Sequence, residues 1–516
     1  MDWAEEYDVL VAGSGAGGVI GAYTAAREGL SVLLVEASDK FGGTTAYSGG
    51  GGAWFPVNPV LQRAGTDDTV EDALTYYRAV VGDRTPSELQ ETYIRGGAGL
   101  IEYLEQDDHF SFEPFPWPDY FGKAPKARND GQRHIIPTPL PVSAAPELRT
   151  LVRGPLDNDR YGTPQPEDLF IGGRALVARA LTALARYDHA ATVRETALVD
   201  LVVEDGAVVG AIVEHDGERR AIRARRGVVM AAGGFESNDE LRQKYGVPGV
   251  ARDTMGPPTN TGLAHQAGIA VGADTDLMGE AWWSPGLTHP DGRSAFALWF
   301  TGGIFVDQSG RRFVNESAPY DRLGRDVIAR LDAGEMTLPF WMVYDDRDGV
   351  VPPVKASNVS ITDPEKYVEA GLWHTADTLE ELAEKIGVPA DALVATVARF
   401  NELAASGVDE DFDRGGEAYD RFFFGGGSPL VPVEQGPFHA AAFGISDLGT
   451  KGGLRTDTAA RVLDADDRPI PGLYAAGNTM AAPSGTVYPG GGNPIGASML
   501  FSHLAVRDLA AAGSAE

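Results

Sequence analysis

The stretch Asp8-Val9-Leu10-Val11-Ala12-Gly13-Ser14-Gly15-Ala16-Gly17-Gly18 carries an apolar run into a glycine-rich turn, and a helix-like segment follows as far as Gly29. A second apolar run at residues 31–35 closes on Glu36. Together they read as a βαβ unit with the spacing of a dinucleotide site. Each glycine has a physical reason. Gly13 permits the tight turn, Gly15 lets backbone reach a pyrophosphate, and Gly18 lets the helix pack on the strand. The helix N-terminus then turns its positive end to the phosphates. Glu36, about 20 residues beyond the turn, is placed to accept from ribose hydroxyls, which favours an unphosphorylated ribose such as that of FAD or NAD.

The far end of the chain separates those two cofactors. Pro471-Gly472-Leu473-Tyr474-Ala475-Ala476-Gly477-Asn478 reads as a short buried strand running into a loop. Asn493-Pro494-Ile495-Gly496 reads as a helix start, with Asn493 as N-cap and Pro494 in the first turn. The positive end of such a helix suits the pyrimidine edge of a flavin, which gains negative charge on reduction. An NAD-only dehydrogenase has no use for it, so FAD is the expected cofactor.

Composition narrows the class. A chain of 516 residues is too long for one simple core, and two domains are expected. Lys and Arg number 43 against 74 Asp and Glu, a net charge of −31 that repels nucleic acid and anionic membrane surfaces and suits a neutral or cationic substrate. With no cysteine there is no disulfide, thiolate metal site, iron–sulfur cluster or sulfur-linked flavin, so FAD is expected to be held non-covalently and no metal site is expected. The start, Met1-Asp2-Trp3-Ala4-Glu5-Glu6, is acidic where a signal peptide is basic, and no apolar run has the length of a membrane span. These features predict a cytoplasmic protein with no integral membrane segment. A lipophilic substrate would leave room for peripheral contact.

Segments 197–203 and 208–215, separated by Glu204-Asp205-Gly206-Ala207, form a hairpin pattern, and residues 226–234 read as a strand ending in a glycine loop. From about Asp276 to about Pro437 the pattern turns aromatic, with Trp282, Trp283, Trp299, Phe300, Trp341 and Trp373. Helical spacing at 379–386 and 390–405 is structural. The expected fold is α/β: a Rossmann-like FAD-binding domain over residues 1–277 and 438–516, interrupted by an inserted α+β catalytic domain over residues 278–437.

The chain resembles the flavoprotein group of fumarate reductases and 3-ketosteroid dehydrogenases, and within it the 3-ketosteroid Δ1-dehydrogenases. The group features are the N-terminal fingerprint, Phe41-Gly42-Gly43-Thr44-Thr45 with Ser48-Gly49-Gly50, residues 302–307 with 312–316, and residues 473–478. The narrower match lies in Phe115-Pro116-Trp117-Pro118-Asp119-Tyr120, Asn315-Glu316-Ser317-Ala318-Pro319-Tyr320-Asp321 and Tyr488-Pro489-Gly490-Gly491-Gly492. Fumarate-reductase-like relatives carry a proton-donating arginine where this chain has Tyr320, and the inserted domain is rich in aromatics and poor in lysine. A fused-ring ketone suits such a pocket better than a dicarboxylate. The resemblance assigns to the cofactor Gly13, Ser14, Gly15, Gly18, Glu36, Ala37 and Ser38. It adds Gly42, Gly43, Thr44, Thr45, Ser48, Gly49 and Gly50, then Ala197, Ala232 and Gly233, and finally Gly477, Asn478, Asn493, Pro494 and Ile495.

The implied reaction is 1,2-dehydrogenation of a 3-ketosteroid, and it needs two tools. A base takes a proton from carbon 2, acidified by the carbonyl, and flavin N5 accepts a hydride from carbon 1. By the motif match Tyr320 is the base, as tyrosinate, with Tyr120 hydrogen-bonded to it. A free tyrosine has a pKa of about 10 and is ionised at about one part in a thousand at pH 7, so the site must stabilise the phenolate or the rate must climb at alkaline pH. The Tyr488 hydroxyl and the Gly492 N–H would polarise the carbonyl, although proline is common in the family where Gly491 stands. Phe115, Trp117, Phe296 and Trp299 are candidates for steroid contact. Electrons would pass on to an external acceptor that no motif identifies. The alternatives are a related flavoprotein acting on another bond, either a 3-ketosteroid Δ4-dehydrogenase or a fumarate-type reductase, and a non-catalytic flavin or steroid carrier. A dicarboxylate site would draw on His289 and Arg293, which read instead as part of a surface turn at His289-Pro290-Asp291-Gly292.

Overall fold

Val9, Leu10 and Val11 have no solvent-accessible surface, because their strand is flanked on both sides and covered on both faces. A computed structural model describes residues 2–162 and 168–512; Met1 and residues 513–516, the outermost of the expected first domain, lie outside it. Strand Glu5–Ala12 runs parallel to Val32–Val35 on one side and to Glu218–Met230 on the other. Ala190–Val193 extends the sheet beyond Val32–Val35, and Pro469–Ala475 extends it beyond Glu218–Met230. The predicted hairpin is Thr196–Glu204 with Ala207–His215, and it joins this eight-stranded sheet through Glu218–Met230.

The two ends of the sequence meet at a seam of small residues. Helix Ala16–Arg27 lies against the C-terminal helix Asn493–Ala512. A Cβ on Gly17 would stand 2.6 Å from Ser498 Oγ, and one on Gly21 2.3 Å from Ser502 Oγ. Those glycines set the close approach that brings both cofactor signatures to one edge of the sheet.

The second sheet has seven strands, and its pairings are antiparallel. Its aromatic core includes Phe305, Phe340 and Phe443, with ring centroids 4.9 to 5.9 Å apart. The long strand Phe438–Thr450 lies at the middle of this sheet, between Phe340–Asp345 and Ala281–Thr288. The division expected at residues 437/438 therefore needs correction, since this strand belongs to the second sheet. Its alanine- and glycine-rich sequence hides the assignment, because small residues read as a buried strand of either sheet. The expected helices are Leu379–Ile386 and Ala390–Ser406. Among the described residues no helix is long and apolar enough to cross a membrane.

Candidate active site

A cavity of about 980 Å³ runs from the carboxyl edge of the parallel sheet into the second sheet. The glycine turn forms one end. A Cβ on Gly18 would sit 1.7 Å from Gly13 O, so this glycine serves helix–strand packing. Gly15 differs, since a Cβ there would meet nothing closer than Thr45 Oγ1 at 3.4 Å and would project into the cavity. Its missing side chain leaves room for a ligand. Glu36 is buried, with Oε2 accepting from Ser14 N at 3.0 Å and Oε1 from Ser38 N at 2.9 Å.

Most of the expected cofactor residues line this groove: Gly13, Ser14, Gly15, Glu36, Ala37, Gly43, Thr44, Thr45, Ser48, Gly49, Gly50, Ala197, Ala232, Gly233, Gly477, Asn478, Pro494 and Ile495. Gly18, Ser38, Gly42 and Asn493 stand behind it. Gly42 N donates to Ser14 Oγ at 2.9 Å, and Ser38 supports Glu36. Asn493 does not act as the expected cap. It opens the helix, its amide donates to Tyr77 Oη at 3.4 Å, and its buried Oδ1 has no partner. Gly492 precedes it at φ +88°, with a Cβ position only 2.6 Å from Gly52 O, so the backbone rather than a side chain shapes this helix entry. An elongated groove, a bare glycine turn at one end and a helix start at the other fit FAD.

The opposite end of the cavity is aromatic. Tyr120, Tyr320 and Tyr488 form a triangle with ring centroids 5.6, 5.1 and 5.6 Å apart, and all three are buried. Three separate elements deliver them. Tyr320 is the first residue of helix Tyr320–Asp332, after Pro319, and Asp321 pins that helix by accepting from Trp283 N at 3.1 Å and Arg325 Nε at 2.9 Å. Tyr120 lies on a loop held by Asp119, which accepts from Trp54 Nε1, Arg128 N and Arg133. The Tyr120 N–H donates to Pro489 O at 3.0 Å, so the Tyr120 and Tyr488 loops hold one another. Phe296 meets Tyr320 edge-on at 5.0 Å, and Phe115, Trp117 and Trp299 also line the cavity.

Burial pushes Tyr320 well above the usual tyrosine range, with Tyr120 and Tyr488 adding to the shift. Tyr488 is pushed up to about 12 by burial, and the Tyr320 hydroxyl and Gly492 N–H pull it back. The expected hydrogen bond from Tyr120 to Tyr320 is not made in good geometry: Tyr120 Oη is buried without a partner, as is Trp117 Nε1. The rings pack edge to face, which brings the phenols together without aligning them. At Gly491 a Cβ would lie 2.9 Å from Trp117 Cδ1 and 3.3 Å from Tyr120 Oη, so the residue that replaces the family's proline is packed against both.

Sequence reasoning missed Asn260, which lines the groove and donates to Thr44 Oγ1 at 3.2 Å, and Trp282, which donates to Asn478 Oδ1 at 3.0 Å. Neither sits in a glycine pattern that would mark it. His289 also needs correction. The turn is present and its tip exposed, yet His289 itself is buried against Tyr367 Oη at 2.7 Å, while Arg293 pairs with Asp291. Neither lines the cavity.

A dinucleotide groove at the edge of a parallel sheet, meeting an apolar cleft that ends in phenols, defines a flavin-dependent oxidoreductase. The FAD binding domain family matches residues 8–495. The chain is 38% identical to a 3-oxosteroid 1-dehydrogenase of Mycolicibacterium smegmatis, across 99% of this chain and 98% of the relative. It is 36% identical to a 4-oxocyclohexanecarboxylate 2-dehydrogenase of Sinomonas cyclohexanicum, across 98% and 93%. The crystal structure of 3-ketosteroid delta1-dehydrogenase from Sterolibacterium denitrificans in complex with 1,4-androstadiene-3,17-dione superposes with a TM-score of 0.90 at 30% identity, covering 99% of this chain and all of that one. The chain belongs to the FAD-binding flavoproteins and, among them, to the 3-oxosteroid 1-dehydrogenase family.

Proposed function

We propose that the protein is an FAD-dependent 3-oxosteroid 1-dehydrogenase that introduces the double bond between carbons 1 and 2 of a 3-ketosteroid. The observation that carries the reading is the convergence of Tyr120, Tyr320 and Tyr488 at the closed end of an apolar cleft that opens onto the cofactor groove. FAD, when bound, supplies the acceptor for the hydride from carbon 1. Tyr320 takes the proton from carbon 2. The Tyr488 hydroxyl and the Gly492 N–H donate to the 3-keto oxygen, where negative charge grows as that proton leaves, and preorganised donors there lower the barrier by about 3 kcal/mol each. Tyr120, with its unpartnered hydroxyl next to the Tyr320 ring, takes the proton onward.

Among the described residues lining the cavity, Lys355 is the sole lysine or arginine, which favours a neutral ketone over a dicarboxylate. Phe115, Trp117, Phe296 and Trp299 form the steroid-contacting walls. Turnover would also require an external electron acceptor. We place the enzyme in the cytoplasm, with peripheral membrane contact as a route for a lipophilic substrate.

Anaerobic mixing of the flavin-loaded protein with 4-androstene-3,17-dione tests this. Bleaching of the flavin with formation of the 1,4-diene is the expected result. No bleaching with the steroid, but bleaching with 4-oxocyclohexanecarboxylate, would assign the protein to small cyclic ketones instead. Tyr320→Phe should lower turnover at least about 100-fold, since general-base removal is typically that costly. Flavin content should be unchanged and the steroid should still perturb the flavin spectrum.

A further inference from the structure

The reaction as derived makes no use of one buried amine. Lys451 has no exposed surface, and its Nζ donates to the carbonyls of Thr486 and Val487, each at 3.2 Å. Those are the two residues immediately before Tyr488. The same Nζ stands 3.9 Å from the ring centroid of Trp282, whose ring meets Tyr488 edge-on at 5.0 Å. Trp282 in turn donates to Asn478 on the cofactor groove. The Lys451 backbone is itself fixed, its N–H bonded to Glu280 O and its carbonyl accepting from Ala482 N.

An amine taken out of water is costly unless its donors are satisfied, and here they are spent on the backbone that leads into Tyr488. Burial lowers Lys451 to about 7, with Asp321 and Glu280 opposing the shift and Arg325 adding to it. These are the charged groups that face it. Two bonds to consecutive carbonyls restrict both peptide planes before Tyr488, and the Tyr488 ring is then bracketed by Trp282 and Tyr120.

We infer that Lys451 is a positioning residue that fixes the Tyr488 hydroxyl for donation to the substrate carbonyl, by clamping the Thr486 and Val487 carbonyls and the face of Trp282. The inference rests on the reading of Tyr488 as that donor. Misplacement of a reacting group by about 1 Å costs about 100-fold in rate, so a clamp on its backbone has a measurable effect.

The test is a double-mutant cycle with Tyr488→Phe, read as turnover of 4-androstene-3,17-dione by flavin-loaded protein. Lys451→Met keeps the length and the apolar contact with Trp282 but has nothing to donate. It should lower kcat by about 10- to 100-fold with KM changed less than about threefold, and should change kcat less than about twofold in the Tyr488→Phe background. Lys451→Gln, which keeps N–H donors, should recover part of the loss, and it serves in the same cycle if the methionine variant does not hold flavin. Unchanged turnover in Lys451→Met, or an equal loss with and without the Tyr488 hydroxyl, would overturn the clamp while leaving the role of Tyr488 intact. Unaltered turnover in Tyr488→Phe alone would instead overturn the reading beneath it.

Discussion

At the residue scale, the proposed base is a phenol whose surroundings make it a stronger base and a rarer one. Burial and two neighbouring phenols raise Tyr320 above its ordinary value, so at neutral pH a smaller fraction is ionised than in free tyrosine. The sign of the pH dependence follows. If Tyr320 is the base as proposed, its active form is the deprotonated one, and below a group's pKa that fraction grows about tenfold per pH unit, so kcat/KM should climb from pH 7 well into the alkaline range. A profile of kcat/KM between about pH 6 and pH 10 checks this, and a flat one would remove Tyr320 from the base role. Tyr120 Oη and Trp117 Nε1, buried and unpartnered, mark where polar atoms await partners beside the triangle. The tyrosines were legible because each sits in a specific motif. Lys451 was not, since nothing around it in sequence shows that its amine reaches Thr486 and Val487.

At the element scale, two glycines of one turn have opposite duties, and substitution separates them. Gly18→Ala puts a Cβ 1.7 Å from Gly13 O, where backbone cannot yield, and should lower thermal stability markedly with or without added FAD. Gly15→Ala puts a Cβ where the nearest atom is 3.4 Å away, on a backbone at φ −65° that alanine adopts freely. It should fold with near-parental stability but hold much less flavin, measured as the flavin-to-protein absorbance ratio. Equal flavin content in Gly15→Ala would show that the turn does not approach the cofactor closely. The same logic accounts for the seam between Ala16–Arg27 and the C-terminal helix, where Gly17 and Gly21 admit Ser498 and Ser502. Strand Phe438–Thr450 shows the converse, because its apolar pattern announces a strand without saying which sheet it enters.

At the scale of the whole molecule, a net charge of −31 acts on everything at once. Long-range self-repulsion weakens the folded state at low ionic strength, while single surface ion pairs contribute about 0–1 kcal/mol each and are screened as well. The excess of one sign makes repulsion the larger effect. The melting temperature should therefore rise between about 10 mM and about 0.5 M salt, as the Debye length shrinks from about 30 Å to about 4 Å. A fall on adding salt, in a thermal melt of the flavin-loaded protein, would show that the ion pairs dominate. The sequence by itself determined the βαβ unit and the flavin, because those features are written in local spacing of glycines and apolar residues. Only the tertiary structure decided which sheet owns Phe438–Thr450, that His289 is buried, and that Asn493 does not cap its helix. It alone placed Asp321 against Trp283 N beneath the Tyr320 helix, and the Lys451 amine on the Thr486 and Val487 carbonyls before Tyr488. The physical reason is range: turns and helix starts are specified by neighbours in sequence, whereas burial and bracing depend on which distant segments the fold brings into contact.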